Sequence, residues 1–585
     1  MFEPGTGRLL AAVLMWSGRV LWCDGGPPLI SPSISFQRST INPDTVMRNV
    51  LDLVQAAANR TPDAEALVCG SARVTYQDLV RRAQGMGNAL DALGLTAGVR
   101  IAIYLDKRVE TVVSMLGAAA AQCVFVPINP LLKPQQVAHI LLDCGADCLI
   151  TSALRARVLD EHGLIGVSNT IIVDDAGSAS RHLRTTTHVQ CWPESASGNR
   201  TECNSDNPPQ SPASANVDTD LAAILYTSGS TGLPKGVMLS HRNLLEGAWS
   251  VAHYLNNVSS DRILAALPLS FDAGLSQLTS AWAAGATAVL INYLAPQDVI
   301  DACASERITA ITGVPPLWMQ LAHAAWPETA RRKLRYFANT GGKLPAPVLQ
   351  QLRALFPQAK PYLMYGLTEA FRSTFLDPSE VDRRPDSIGK AVPNARILVV
   401  RDDGSPCGPD ETGELVHVGA CVTLGYWNDA TRTAQRYRPS PELKPGGAPR
   451  DRAVWSGDLV RRDAEGFLYF VARNDAQIKS SGYRISPEEI EEVVHDSGLV
   501  TEALALGIPD DELGEAIVLL VVPVANGFDA QVLQAWCVEH LPRYMVPQRI
   551  VVRDTVSRNP NGKFDRAALR AAFSNPDAAA EVSQS

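Results

Sequence analysis

Short apolar runs alternate with longer stretches of helical period, and this alternation restricts the fold more than any other feature of the sequence. RIAIYL (100–105) is followed by TVVSMLGAAAAQ (111–122), VFVPINP (124–130) by QVAHILLDCG (136–145), and CLITS (148–152) comes next. A short run with almost no charge suits a strand covered on both faces, and the stretches between are long enough for helices. Parallel strands require such crossovers, so the expected class is α/β, built of β/α layers. The alternation resumes at LAAILYT (221–227) and continues to about residue 376. A strand-rich part follows, with RILVV (396–400), GELVHV (413–418) and FLYFV (467–471). From Asp475 to Leu569 the rhythm restarts: a helix at PEEIEEVVHD, strands at EALALGIP and AIVLLVVPV, and a helix at DAQVLQAWCVEHL. A chain of 585 residues is too long for one core. The expected division is a dispensable extension (1–46), a large domain with a strand-rich subdomain (47–474), a small mobile α+β domain (475–572) and a tail (573–585).

The extension has an apolar run from Leu9 to Trp16 behind Arg8 and is Pro/Ser-rich from Pro27 to Pro43. A signal peptide would want an A-x-A-like site, which does not follow, so a disordered extension is the expectation. Residues 174–220, rich in Ser, Asn, Thr and Pro, read as a long surface loop. The net charge of −9 argues against a nucleic-acid partner, which needs a basic face. No run of about 18 apolar residues offers a membrane span. The ordinary composition, 46% hydrophobic and 19% charged, suits a cytoplasmic protein. The eleven cysteines are scattered; Cys144 and Cys148 are the closest pair, and buried thiols are preferred there over a metal site.

The most informative stretch is Tyr226-Thr-Ser-Gly-Ser-Thr-Gly-Leu-Pro-Lys-Gly236, read as lying between an apolar strand and a helix that starts at His241. Its glycines let backbone N–H groups converge on an anion. Thr227, Ser228, Ser230 and Thr231 add hydroxyls, Gly229 and Gly232 leave room, and Lys235 adds a positive charge for phosphoryl oxygens. By composition alone the stretch reads better as a flexible Ser/Gly turn.

The full string YTSGSTGLPKGVMLSHRNL resembles the signature of the adenylate-forming superfamily, which includes acyl-CoA synthetases, adenylation domains of peptide synthetases, and luciferases. Further motifs follow in that superfamily's order: YGLTE (365–369), SGDL (456–459), RNDAQIK running into SSGYRISPE (473–488), and PNGKFDR (560–566). The KSSGYRISPEEIE wording is nearer to free-standing acyl-CoA ligases than to peptide synthetases. More loosely, the chain is similar to acyl-CoA ligases found with bacterial exosortase systems.

The resemblance implies an AMP-forming acid–thiol ligase. Such an enzyme turns a carboxylic acid into an acyl-AMP with ATP and Mg²⁺, then passes the acyl group to CoA or to the phosphopantetheine thiol of a carrier protein. Residues 47–474 would then bind ATP and the acyl group. Lys563 would lie against both the carboxylate and the α-phosphate, Thr368 would hydrogen-bond that phosphate, and Glu369 would hold Mg²⁺. Tyr365 would stack on adenine beside Gly366, and Gly341 and Gly342 would let backbone approach the base. Asp458, assisted by Arg473, would accept the ribose hydroxyls. Asp475 would be a swivel that exchanges Lys563 for Lys479, Gly482 and Arg484 at the site, one set for each half-reaction. Four departures from the family pattern stand out: Ala472 for a glycine, Ser456 for the threonine of TGDL, Trp455 where a basic residue is frequent, and Lys343 where Glu or Ala is frequent.

Phe271-Asp272-Ala273 aligns with the motif that opens the acyl pocket, and Arg372 with another pocket position. Asp272 would pair with Arg372, shaping a pocket for a plain acyl chain, or with a substrate ammonium. A buried carboxylate needs one or the other.

Overall fold

The computed structural model describes residues 47–163, 166–174, 188–197, 217–227, 234–442, 452–473, 477–524, 528–556 and 566–574. Two large sheets dominate it. In one, Leu221–Thr227, Val124–Pro127, Arg100–Tyr104, Cys148–Thr151, Asn169–Ile172 and His188–Cys191 run parallel in that spatial order. In the other, Lys360–Tyr365, Tyr336–Asn339, Ala310–Gly313, Arg262–Ala265, Thr287–Leu290 and Glu65–Cys69 do the same. Strands such as Val124–Pro127, Thr287–Leu290 and Tyr336–Asn339 are buried at every position, which explains why they carry no charge and few polar residues.

The helices Tyr76–Ala92 and Val109–Ala120 pack in close contact. A Cβ on Gly117 would lie 2.6 Å from that of Met86, and one on Gly87 would lie 2.9 Å from that of Ala120. The small-residue run in the second helix is therefore a packing requirement. An all-antiparallel sheet holds Ala395–Val400, Thr412–Gly419, Tyr437–Pro439, Arg452–Arg462 and Leu468–Arg473.

The last sheet pairs Val500–Asp510 with Gly514–Pro523 along their whole length and adds the hairpin Ile478–Ser480/Tyr483–Ile485 and Arg549–Val552. Alternate residues serve two cores. Ala503 and Ala505 meet Ile490, Val494 and Leu533 on one face, while Leu504 and Leu506 meet Phe573 on the other. The final helix runs to Ser574, so Phe573, at the head of the expected tail, packs inside this small domain.

The structure corrects the reading of the sequence in three places. The sequence from Val46 to Leu93 has a helical pattern with a strand-like ARVTY (72–76) inside it, and the structure adds a second strand, Glu65–Cys69, stabilised by pairing on both sides. The polar segment 174–220 is not all loop, since His188–Cys191 adds an edge strand and Glu194–Ser197 a helical turn. The glycine-rich stretch joins two antiparallel strands rather than a strand and a helix. Lys235–Ser240 pairs with Leu221–Thr227, and only then does the helix begin at His241, capped by Ser240. Residues 1–46 lie outside the described residues. Among those described, no helix is long and apolar enough to cross a membrane. Cys144 and Cys148 are both buried, and burial pushes the Cys144 thiol up to about 12.

Candidate active site

Parallel strands deliver their following loops to one edge of a sheet, and ligands bind there because backbone and side chains converge free of the ladder. A cavity of about 1110 Å³ opens at that edge. Its wall is made by segments that follow strands of both sheets, among them 105–107, 127–132, 266–273, 314–316, 339–345 and 365–368. Of the expected site residues, Thr227, Asp272, Gly341, Gly342, Tyr365, Gly366, Thr368, Arg372, Lys479, Gly482 and Arg484 line it. Lys235, Glu369 and Asp458 do not line the cavity. Ser228, Gly229, Ser230, Thr231, Gly232, Asp475 and Lys563 lie outside the described residues.

The feet of the glycine-rich loop are fixed. Thr227 and Lys235 are register partners. The Pro234 carbonyl meets His139 Nε2 at 3.0 Å, and the Tyr226 hydroxyl donates to Asp143, both on the helix Pro134–Asp143. Strand Gly425–Tyr426 pairs with Lys235–Ser240 and so sets Tyr426 beside Lys235. Lys235 Nζ donates to Tyr426 Oη at 3.1 Å and lies 3.5 Å from Glu369 Oε1, which accepts from the same hydroxyl at 2.7 Å. Thr423 anchors the Glu369 carbonyl through its N–H and hydroxyl, each at 3.0 Å.

Glu369 is buried, which by itself raises its carboxyl. Lys235, Arg484, Arg436 and the Tyr426 hydroxyl outweigh that and hold it well below the usual carboxylate range. Burial pulls the Lys235 ammonium down, with Glu369 opposing. Arg484 Nη1 lies 3.9 Å from Glu369 Oε2, too far for a hydrogen bond, and that buried oxygen accepts none from any described residue. An ionised carboxylate oxygen left open in this way fits a divalent cation, which takes oxygen ligands.

The Tyr365 hydroxyl donates to Asp458, whose N–H is held by Ser456 Oγ at 3.0 Å. Asp458 is wholly buried and stands opposite Arg473 in the antiparallel pair. The substitution of Ser456 for threonine keeps the hydroxyl that does this work. Trp455 packs under the Arg438 guanidinium, 3.6 Å from its ring centroid, and Lys343 makes an exposed ion pair with Asp386.

Asp272 opens the helix Asp272–Ala284. Its carboxylate accepts from Arg372 Nη1 at 2.7 Å and from Thr368 Oγ1 at 3.4 Å, so the pairing of Asp272 with Arg372 is present. The Arg372 side chain is 3% exposed and that of Asp272 15%. Phe371, between them and the 365–369 segment, has φ +56° and packs where a Cβ on Gly247 would lie 2.3 Å from its ring.

The small domain supplies the opposite wall. Its hairpin turns at Ser481 and Gly482, both at positive φ (+54° and +80°), as a two-residue hairpin turn requires. A Cβ on Gly482 would lie 2.8 Å from Val314 Cγ1, and one on Gly341 would lie 3.6 Å from the Gly482 carbonyl oxygen. Arg484 Nη2 donates to the Gly366 carbonyl at 3.1 Å, and Lys479 Nζ sits 5.1 Å from the Phe470 ring centroid. Lys479, Gly482 and Arg484 thus face the cavity rather than forming a solvated turn.

Sequence reasoning missed two ionisable groups on the cavity wall, the half-buried Lys107 and the buried Glu489. Lys107 donates to the Ala266 and Leu267 carbonyls, and burial pulls its ammonium down to about 7. Glu489 accepts from Gln136 at 2.7 Å across the two domains, and burial pushes its carboxyl up to about 8. Neither lies in a phosphate-like motif. The one available signal was a charge placed beside an apolar run.

The AMP-binding enzyme family model matches residues 54–427, and the AMP-binding enzyme C-terminal domain model matches residues 489–563. Tyrocidine synthase 2 of Brevibacillus parabrevis is 28% identical over 88% of the chain, which spans only 13% of that protein. Long-chain-fatty-acid–CoA ligase of Salmonella typhimurium is 29% identical over 91% of the chain and 95% of its own length. Among solved structures, a double mutant of o-succinylbenzoate CoA synthetase from Bacillus subtilis bound with its product analogue OSB-NCoA aligns with TM-score 0.74 at 25% identity, over 90% of this chain and 98% of its own. The same enzyme in complex with the acyl-adenylate intermediate OSB-AMP covers the same shares at 26% identity, but its TM-score is 0.60. The arrangement of this chain is thus nearer to the first form of that enzyme than to the second.

Proposed function

The chain belongs to the AMP-binding enzyme family, and we propose that it activates a carboxylic acid with ATP and then transfers the acyl group to the thiol of CoA. In the first step a carboxylate oxygen bonds to the α-phosphorus while the bond to the β-phosphate bridging oxygen breaks, releasing pyrophosphate. In the second, the thiol sulfur bonds to the acyl carbon, gives up its proton, and AMP leaves with the bonding pair. The observation that carries this reading is Glu369 Oε2, a buried, ionised oxygen without a hydrogen bond from any described residue. It stands beside Lys235 and Arg484, next to the feet of the glycine-rich loop. Such a group is costly to bury unless a cation completes it.

On this reading Glu369 holds Mg²⁺, which when bound supplies positive charge to phosphate oxygens. The loop from Thr227 to Gly232 and Lys235 receive the phosphates, and Thr368 donates to the α-phosphate. Tyr365 stacks on adenine, with Gly341, Gly342 and Gly366 leaving room beside it. Asp458, with Arg473 opposite, accepts the ribose hydroxyls once the Tyr365 hydroxyl gives way. Lys563 supplies the charge that lets two anions meet in the transition state.

Arg566, three residues beyond Lys563, is tied to the Ala505 carbonyl and to Glu491, both at 2.9 Å, within the small domain. The chain just beyond Lys563 therefore belongs to the same body that carries Gly482. Rotation about Asp475, between residues 47–474 and 475–572, would exchange one for the other. The likeness to tyrocidine synthase 2 supports a second acceptor, a carrier-protein phosphopantetheine thiol. ATP–pyrophosphate exchange with a panel of acids tests the first half-reaction. Thioester formation from the resulting acyl-AMP, with CoA against phosphopantetheinylated carrier protein, tests the second. Absence of acid-dependent exchange would overturn the proposal.

A further inference from the structure

Resting on the adenylation reading, we propose that the acid is a dicarboxylic one, with one carboxyl reacting beside Thr368 and the other received by Lys107 further along the same wall. Lys107 lines the cavity just beyond the strand Arg100–Tyr104, together with Leu267 and Tyr293, which follow the strands Arg262–Ala265 and Thr287–Leu290. Its backbone is pinned by one side chain: the N–H donates to Asn292 Oδ1 at 3.0 Å, and the carbonyl accepts from Asn292 Nδ2 at 2.7 Å. Its ammonium donates to the Ala266 carbonyl and, at 3.4 Å, to that of Leu267. An ammonium has three N–H groups, so one is left for a ligand.

Charge makes that ligand an anion. Among the described residues no carboxylate forms an ion pair with Lys107, and Asp106, next to it, is exposed and turns to Arg155 at 2.9 Å. The ionisable group that bears on the ammonium is the Cys69 thiol, which burial keeps neutral. Other cations on the large-domain wall are matched: Arg372 by Asp272, Lys343 by Asp386 and Arg461 by Asp410. A half-buried ammonium without a counter-ion is costly, and its lowered pKa reflects that cost. A carboxylate reaching it through the cavity removes the cost, an alkyl chain leaves it, and a second ammonium adds to it.

Position ties the ammonium to the acyl end. The segment from Ala266 to Asp272 folds against the helix it leads into, so a Cβ on Gly274 would lie 2.9 Å from the Leu267 carbonyl oxygen that Lys107 holds. Gly274 stands two residues after Asp272 in that helix, which puts the ammonium within roughly 13 Å of the Asp272 Cα. The Asp272 carboxylate is in turn 3.4 Å from Thr368. One diacid of moderate length spans this interval. The phosphates of CoA are the other anions that enter the enzyme on this reading. Every polar partner of Lys107 among the described residues belongs to the large domain, so the ammonium is in place whether or not the small domain is docked. The acid, held through both half-reactions, needs that; the thiol, used only in the second, does not.

The test is ATP–pyrophosphate exchange with acids paired by length: succinate, adipate, suberate and sebacate against butyrate, hexanoate, octanoate and decanoate, with ferulate and 4-aminobutyrate added. At least one diacid should exceed the monoacid of equal length by tenfold or more in kcat/KM. Lys107→Met keeps the stem and removes the charge, and should bring that ratio to within about twofold; a residue that only braced the fold would lower both rates and leave their ratio alone. The wild-type ratio carries the test by itself should Lys107→Met misfold. Monoacids matching diacids at every length, or ferulate or 4-aminobutyrate as the preferred acid, would overturn the inference while leaving adenylation standing. So would a ratio unmoved in Lys107→Met, and a raised KM for CoA beside that unmoved ratio would assign the ammonium to the CoA phosphates instead. Exchange with no acid at all would overturn the adenylation reading beneath it.

Discussion

The two walls of the cavity are held in different ways. Behind the large-domain wall, Glu369 and Asp458 are each fixed by several partners. Glu369 is clamped by Tyr426, Lys235 and Thr423, and Asp458 by Tyr365 and Ser456. On the small-domain side the hairpin leans on the wall through Gly482 against Val314, one hydrogen bond from Arg484 to Gly366, and an ion pair stretched to 3.9 Å. On the proposed reading the first wall would persist through a reaction and the second would come away. Electrostatic work would then belong to the fixed wall, where reorganisation is costly, and the choice of half-reaction to the detachable one.

Lys563→Ala should separate the two walls most sharply. On the proposed reading it removes a charge used only in the adenylation transition state, so acid-dependent exchange should fall by about 10²–10³ or more. Thioester formation from pre-made acyl-AMP should be retained, and an equal fall in both rates would remove the distinction. Glu369→Gln comes next. It deletes the charge that Lys235, Arg484 and the proposed Mg²⁺ share, and adenylation should fall by roughly 10²-fold with a raised Mg²⁺ requirement. A Mg²⁺ titration of exchange that overlays the wild type would take Glu369 out of the metal site.

Gly482→Val should act on the detachable wall alone. A side chain there would meet Val314 at 2.8 Å, and φ +80° is strained for a β-branched residue. Thioester formation should drop by about tenfold or more while exchange stays near wild type. Loss of exchange instead would mean that the hairpin matters equally in the first step.

The two walls were not equally legible in the sequence. The α/β class and the strand ends could be read, because runs such as VFVP are buried on both faces and leave no other pattern available. Asp272, Tyr365 and Thr368 could be placed through the motifs that carry the family resemblance, which lie at or beyond the ends of such strands. The hairpin nature of the glycine-rich loop was hidden: KGVMLS is short and runs into a well-capped helix, so its pairing with LAAILYT is a tertiary fact. Lys107 and Glu489 were hidden for a related reason. Each sits among other charged residues in the sequence, and its covering arises only when distant segments close over it. Gln136 and Glu489, for instance, meet across the two domains.

Glu489 gives the smallest and most graded test. In the docked arrangement its carboxyl is pushed up to about 8, first by burial and then by Glu492, with Gln136 opposing; the Tyr544 ring packs nearby in the same small-domain core. When the small domain swings away, Glu489 loses Gln136 and its cover, and its pKa returns towards the ordinary 4.5. Between those values the docked state binds more protons than the undocked one, so docking is strongest below about 4.5 and weakens as pH rises towards about 8. Above that it is level. One proton limits the slope to about tenfold per pH unit in the docking equilibrium. Scattering in solution across pH 5 to 9 should therefore show the docked fraction falling with pH in the wild type. In Glu489→Gln, which keeps the hydrogen-bonding shape and cannot ionise, the fraction should stay level and exceed the wild type at the alkaline end. A wild-type profile that is flat, or that rises with pH, would show that Glu489 is not what makes this wall easier to detach.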